Sequence, residues 1–235
     1  MTTEQNGIID ITTPVVLCFP NLTEAKKFKG KNGKESGEPK FGASFMFTPD
    51  HPDFKRIKDR ALALAKAKWP SRDIVAEYKA GTFKMPWNDG TKLADKRIAE
   101  KKKANPAWQD DGKGDFQRGN FIIKSASKFA PRLAYIEGGK ISPDLEGAAV
   151  NLHKNKFYFG AKVLAQINLV PYDKVGETGV DGVTAYTNLV LTTNTGTRLS
   201  GGASAAETFK DYAGKLSDQD PTAGNSTDLD DDPPF

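Results

Sequence analysis

The stretch KNKFYFGAKVLAQINLV, residues 154–170, alternates between two kinds of side chain over most of its length. Side chains two positions apart lie on the same face of a β-strand. From residue 157 onward, one face of a strand over these residues holds only apolar side chains, namely Phe157, Phe159, Ala161, Val163, Ala165, Ile167 and Leu169. The pattern predicts a long strand whose apolar face lies in a hydrophobic core.

Other strands are predicted from β-branched and aromatic residues and from apolar residues at a period of two. They cover residues 8–19, 40–48, 120–129, 132–137 and 183–193. A helix is predicted to begin near Asp50 and Pro52 and to end at Pro70, because apolar residues recur between them at helical spacing. A chain of mostly strands with few helices favours a small barrel over a doubly wound sheet.

Two segments lack a clear strand or helix pattern. Residues 26–34 combine five lysines with glycines and an Asn-Gly pair, which predicts a loop. Residues 70–117 predict a long irregular excursion between strands, with a short helix near 93–103. Long excursions of this kind are usually functional or disordered. We expect residues 1–215, including this excursion, to form one domain.

Charge is distributed unevenly along the chain. Residues 216–235 contain six Asp and no Lys or Arg, so residues 1–215 carry 34 basic and 24 acidic side chains. This composition predicts a cationic body and a disordered acidic tail, because the tail cannot bury enough apolar surface to fold. The asymmetry indicates a polyanionic partner, or a tail that competes for the same basic surface. Charge alone is equally compatible with a tail that only aids solubility.

Signatures of catalysis and of cofactor binding are weak. His51 and His153 are far apart and lack metal-ligand spacing, and Cys18 lies in an apolar run typical of a core. No glycine loop for phosphate binding occurs. We therefore expect no enzymatic activity, no metal and no cofactor, with a metal-dependent nuclease as an unfavoured alternative. The chain also lacks an apolar run long enough to span a bilayer, so no membrane association is expected.

Lysines interleaved with aromatic residues supply the candidate binding site. Unpaired bases stack on aromatic rings, and phosphates require cations. The polar face of the 154–170 strand provides one row, and the end of the 120–129 strand provides a second. Trp87, which lies outside the strong strands, is a further candidate for stacking. The predicted DNA-binding residues of the two rows are Lys124, Lys128, Phe129, Arg132, Lys154, Lys156, Tyr158 and Lys162. Each row is also compatible with a solvated strand face.

The acidic segment ends in a distinctive sequence, Asp228-Leu-Asp-Asp-Asp-Pro-Pro-Phe235. It resembles the C-terminal tip of bacterial single-stranded DNA-binding proteins, where acidic residues precede Pro and a terminal Phe. The resemblance implies that the tip recruits replication proteins of the host or the phage. A Phe ring can enter a pocket while aspartates steer the segment toward a basic rim. The predicted partner-binding residues are Asp230, Asp231, Asp232, Pro233, Pro234 and Phe235.

The body resembles a family of bacteriophage single-stranded DNA-binding proteins over about residues 10–213. The resemblance is carried by the order of several short segments. They are residues 37–41 (GEPKF), 68–69 (KW), 86–90 (PWNDG), 123–128 (IKSASK) with Pro131, 168–172 (NLVPY) and 201–202 (GG). Residues 91–117 depart from it, because they are longer and richer in lysine than the family pattern.

This resemblance implies a mainly β OB-fold, a five-stranded Greek-key barrel with an added helix. It also implies sequence-independent binding and protection of single-stranded DNA in phage DNA replication, recombination or repair, in the cytoplasm of the infected bacterial host. Duplex DNA is expected to bind more weakly than single strands. An annealing or recombination protein that also binds duplex DNA is the alternative within nucleic-acid binding. A virion structural protein is the alternative from another class.

Overall fold

The computed structural model describes residues 7–29, 35–112, 114–174, 176 and 179–199. Within these residues the strands are β1 (Ile8–Lys29), β2 (Glu35–Phe47), β3 (Trp87–Asp89), β4 (Phe121–Ser127), β5 (Arg132–Glu137), β6 (Lys140–Ile141), β7 (Lys162–Tyr172) and β8 (Gly182–Thr192). The helices are α1 (Pro52–Lys68), α2 (Ile74–Ala80), α3 (Gly90–Ala104) and α4 (Ala148–His153), and two 3-10 turns cover Asp115–Gln117 and Lys154–Lys156.

Five of the strands close into a barrel. β2 pairs antiparallel with β1 and β4, and β7 pairs antiparallel with β1 and β8. A parallel contact between β4 and β8 closes the ring at Ser125 and Ala185. At this closure, the Thr187 hydroxyl donates a buried hydrogen bond of 2.7 Å to Ser125 Oγ. Numbered within the barrel, the strand order is 1-2-3-5-4, so the predicted five-stranded Greek-key fold is confirmed.

The strand predicted over 154–170 is shorter than expected. Its core face is confirmed at Phe157, which is 5 % exposed, and from Ala161 to Leu169 at every second position. The strand itself begins only at Lys162, because residues 148–156 form α4 and a 3-10 turn. Gly160 separates the two parts with a φ of +102°, and a Cβ there would lie 1.9 Å from the carbonyl oxygen of Thr197. A glycine therefore interrupts the extended backbone at this crossing.

The excursion over residues 70–117 is mostly regular, which corrects the prediction of an irregular segment. It contains α2, β3 and α3, and α3 extends the predicted short helix at both ends. The Asp89 side chain caps α3 by accepting hydrogen bonds from the backbone N–H groups of Thr91 and Lys92. The sequence signal for α3 is weak because only Gly90 and Ala94 of the helix are buried. β3 is three residues long, too short for a periodic pattern.

Two polar clusters fasten the helices to the barrel. Buried Asp53, in the first turn of α1, accepts hydrogen bonds from the backbone N–H groups of Thr12 and Thr13 at 3.0 and 2.9 Å. Arg72 forms ion pairs with Glu77 of α2 and with Asp181, which precedes β8. The guanidinium of Arg72 lowers the pKa of the Glu77 carboxyl below its ordinary value. The Asp53 contacts hold α1 against β1, and the Arg72 contacts hold the start of the excursion against the barrel wall.

The hairpin between β1 and β2 is longer than predicted. Residues 26–29, expected in a loop, continue β1 and pair with β2 from Lys26 opposite Lys40 to Lys29 opposite Glu35. Residues 30–34 lie outside the described residues, as do the acidic tail and the domain boundary predicted at residue 215. Within the described residues, no helix has the length and apolar composition needed to cross a membrane.

Candidate nucleic-acid interface

A cleft of about 690 Å³ crosses the outer surface of β1, β2 and β4, and we call it the first cleft. Cationic and aromatic side chains share its lining. The residues that line it are Phe19, Asn21, Lys26, Lys27, Gly37, Glu38, Lys40, Phe41, Gly42, Ala43, Ser44, Lys124, Ser125 and Ala126. Four lysines and a single acidic residue among these give the cleft a positive charge. Cations beside flat rings are the combination that holds the backbone and the bases of a single strand.

The floor of the first cleft depends on a close approach of two strands. A Cβ on Gly42 of β2 would lie 2.9 Å from the carbonyl oxygen of Ser125 in β4. The glycine therefore avoids a clash between a side chain and the β4 backbone and leaves room above the sheet. β1 changes register between Cys18 and Asn21 on the neighbouring side of the cleft. Cys18 itself points into the core, where burial raises the pKa of its thiol to about 12.

Phe19 lies at this register shift and is 54 % exposed. Its φ of +48° is in the left-handed region, which is uncommon for an aromatic residue and concentrates at functional sites. The ring packs against Phe159 at 4.7 Å and against Phe116 at 6.1 Å between ring centroids. Phe116 and Phe159 also contact each other at 5.0 Å. The three rings form an aromatic cluster at one end of the first cleft, and Phe19 is its exposed member.

A second cleft of about 520 Å³ adjoins the first and shares Lys40 and Ala126 with it. Its lining consists of Lys40, Ala126, Ser127, Lys128, Phe129, Ala130, Asn168, Tyr186, Thr187 and Asn188. Phe129 is 82 % exposed and Tyr186 is also exposed, so both rings of this cleft are open to solvent. Lys128 pairs with Glu38 of the first cleft, and this lysine lowers the pKa of the Glu38 carboxyl. The two clefts form one continuous surface along β4.

The structure places three predicted DNA-binding residues on this surface. Lys124 lines the first cleft, and Lys128 and Phe129 line the second. Arg132 is exposed at the start of β5 and lies 3.5 Å from a carboxylate oxygen of Asp144.

Trp87, in β3, lines neither cleft and packs edge-on against Phe54 and Tyr78 at centroid distances of 6.1 and 5.9 Å. Its half-buried ring therefore joins β3 to α1 and α2.

The row predicted from the 154–170 strand does not line either cleft. Lys154 and Lys156 lie in the 3-10 turn before β7, where Lys156 sits 4.4 Å above the ring of Tyr135. The Tyr158 hydroxyl donates a 2.7 Å hydrogen bond to the carbonyl oxygen of Gly196. Lys162 is exposed at the first position of β7. The period-two pattern therefore groups residues that the break at Gly160 separates.

Several residues of the clefts were not predicted as binding residues. They are Phe19, Lys26, Lys27, Lys40, Phe41 and Tyr186. Phe41 continues the apolar face of β2, and its sequence position predicts a core residue. Lys26 and Lys27 come from the segment predicted as a loop. Their one sequence signal is the density of lysine around residues 26–40, next to aromatic residues at 19, 28 and 41.

Comparison with known proteins is decisive for the family. The family model described as "Enterobacter phage Enc34, ssDNA-binding protein" matches residues 9–220, which is most of the chain. The chain belongs to the Enc34 single-stranded DNA-binding protein family. The family assignment confirms the resemblance seen in the sequence. No curated protein sequence shows significant similarity to the chain.

Solved structures of the Enc34 family share the fold. The single-stranded DNA-binding protein from bacteriophage Enc34 is 15 % identical, with a TM-score of 0.53 over 88 % of this chain and 94 % of that chain. The same phage protein in complex with ssDNA gives 16 % identity and a TM-score of 0.52 over 85 % and 96 % of the two chains. Its C-terminal truncation gives 19 % identity and a TM-score of 0.52 over 82 % and 88 %. At these identities the likeness concerns the fold.

Proposed function

We propose that this protein binds single-stranded DNA along the surface formed by the first and second clefts. The observation that carries the proposal is the combination of five lysines with the exposed rings of Phe19, Phe129 and Tyr186 on one face of a closed barrel. The lysines are Lys26, Lys27, Lys40, Lys124 and Lys128. Membership of the Enc34 family and a relative solved in complex with ssDNA support the same ligand.

Binding on this surface is independent of base sequence. Stacking on an aromatic ring tolerates every base because each base has a π face, and lysines contact phosphates that carry no sequence information. A protein of this kind coats and protects single strands during phage DNA replication, recombination or repair, without catalysing a reaction. The preference for single strands follows from the exposed rings, which a stacked duplex does not engage.

Replacement of Phe19 tests the proposed stacking. Phe19→Ala should weaken binding to oligo-dT by about 5- to 150-fold, the equivalent of about 1–3 kcal/mol for one stacked base. Fluorescence anisotropy with a labelled oligonucleotide measures the change. Phe19→Trp retains a ring and should bind within a few-fold of the original protein.

Leu152→Ala is the matched control, because this apolar side chain is 74 % exposed and lines neither cleft. It should bind oligo-dT like the unmodified protein. Equal affinities for the Phe19→Ala and Leu152→Ala variants would remove Phe19 from the interface and contradict the proposed stacking.

The acidic segment supplies a second proposed activity, the recruitment of replication proteins. Residues 216–235 carry six Asp and no basic residue, and Pro233 and Pro234 precede Phe235. Prolines restrict the conformations of the segment before binding, which lowers the entropic cost of inserting the ring into a pocket. The aspartates complement a basic rim around that pocket and increase the rate of encounter. Residues 230–235 are therefore proposed to bind the partner.

A single substitution separates this activity from DNA binding. Phe235→Ala removes the aromatic anchor and keeps all six aspartates, so oligo-dT affinity should not change. The variant should fail to retain replication proteins that the original protein captures from extract of infected cells, identified by mass spectrometry. Retention of the same replication proteins by both forms would show that the segment acts through its charge alone.

A further inference from the structure

We infer that α3 is a second contact surface for the same single strand, which leaves the first cleft over the aromatic cluster and continues along this helix. The inference rests on the proposed DNA binding of the clefts and extends it to a surface outside them. It assigns a binding role to α3, which lies within the excursion over residues 70–117.

Charge on α3 is strongly positive and faces solvent. The helix has six basic and two acidic residues over Gly90–Ala104, and its buried residues are Gly90 and Ala94. Lys92, Lys96 and Lys103 are spaced four and seven positions apart, so they lie in a row on one face. All three are exposed, and none forms an ion pair with a residue that the structure describes. The row is thus available for an anionic ligand.

Arginines of the same region are held by carboxylates and do not compete for that role. Arg97 lies over the ring of Trp108 at 5.6 Å and donates a 2.7 Å hydrogen bond to a carboxylate oxygen of Asp111. Arg118 forms a 2.7 Å ion pair with Asp95 of α3. The Arg118 pair neutralises Asp95, one of the two acidic residues of the helix. The other, Glu100, lies between Lys96 and Lys103 on the same face, so the lysine row keeps a net positive charge. Polyanions are therefore the ligands that this face favours.

The helix is attached directly to the aromatic cluster. Phe116, in the 3-10 turn Asp115–Gln117, contacts both other rings of the cluster, and this turn packs against α3. Gly114 lies beside Ala94, where an added Cβ would be 3.5 Å from the Ala94 Cβ. The backbone N–H of Gly119 donates a 3.0 Å hydrogen bond to the Thr91 hydroxyl. The basic helix is thus fixed next to the end of the first cleft at which Phe19 lies.

The length of α3 is consistent with a DNA-binding path that extends beyond the barrel surface. A helix of 15 residues is about 22 Å long at 1.5 Å per residue. OB-folds hold about 4–16 nucleotides, depending on the protein and the binding mode. A short strand would fill the clefts alone, and a longer strand would reach the lysine row. The lysine row, the aromatic cluster and the first cleft together favour one continuous single strand as the occupant.

Oligo-dT of about 8 and about 16 nucleotides distinguishes the two surfaces. The triple variant Lys92→Ala, Lys96→Ala, Lys103→Ala should bind the short oligonucleotide like the original protein and lose the extra affinity for the long one. For three phosphate contacts, the slope of log K against log salt on the long strand should become about 2 less negative, a loss of up to about 100-fold near 0.1 M salt.

The triple variant Lys66→Ala, Lys79→Ala, Lys84→Ala is the matched control. These lysines are also exposed and lie outside α3 and both clefts. It removes the same charge and should bind both lengths like the original protein. Acetylation footprinting of the unmodified chain provides an independent readout. Lys92, Lys96 and Lys103 should be protected by the long oligonucleotide and not by the short one.

Unchanged long-strand affinity in the α3 variant, or an equal loss for both lengths, would overturn the inference. A selective loss of duplex binding would also overturn it, because the helix would then hold a different ligand. Failure of the unmodified protein to bind either oligonucleotide would instead refute the proposed DNA binding itself.

Discussion

Phe157→Ala should lower the free energy of unfolding by about 3–5 kcal/mol, the usual cost of truncating a buried Phe to Ala. Phe157 is 5 % exposed and belongs to the core of the barrel, although it precedes β7 and lies outside every strand. Its removal leaves a cavity that the closed ring of five strands can fill only in part, since paired strands cannot move independently. Urea denaturation followed by tryptophan fluorescence measures the change through the transition midpoint.

Tyr158→Ala is the neighbouring comparison. Tyr158 is half-buried, and its hydroxyl hydrogen bond to Gly196 and its contact with Arg198 at 4.4 Å fasten the chain beyond β8. Loss of one such hydrogen bond costs about 0.5–1.5 kcal/mol, to which the lost packing of the ring adds. The Phe157 variant should therefore be the less stable of the two. The reverse order would place Tyr158 in the core and Phe157 outside it.

The barrel could be predicted from the sequence because its strands carry a strong period-two signal. In β7 the apolar side chains at every second position, Val163, Ala165, Ile167 and Leu169, identify the buried face without reference to any partner strand. α1 was also predictable, because apolar residues recur at helical spacing between Pro52, at its start, and Pro70, which follows its end. Local patterns of this kind depend on residues that are neighbours in sequence, so they can be recognised from one sequence alone.

The candidate interface was only partly predictable, because it depends on which strands become neighbours. Lys124, Lys128 and Phe129 come from one strand and its end, and the sequence identified them together. Phe19 is brought to the same surface by a positive φ and a register shift in β1, which no periodic pattern reveals. Lys26 and Lys27 reach it because β1 continues through a segment whose composition is that of a loop.

Binding to a single strand should weaken steeply as salt concentration rises, and this is the second large effect. Each phosphate neutralised by a lysine releases counterions, so log K for a single strand falls with log salt at a slope of about −0.7 per contact. The five lysines of the two clefts give a slope of about −3.5 if each contacts one phosphate. Affinity should then fall by about 100-fold between 50 and 200 mM salt.

The most direct test is a titration of the full chain with oligo-dT of about 8 nucleotides and with a duplex of equal length, repeated across this salt range. The account predicts tighter binding of the single strand at every salt concentration and a steep, linear decrease of log K. Equal affinity for single strand and duplex would favour the annealing alternative. Absence of binding, or binding that salt does not weaken, would contradict the claim that the two clefts hold single-stranded DNA.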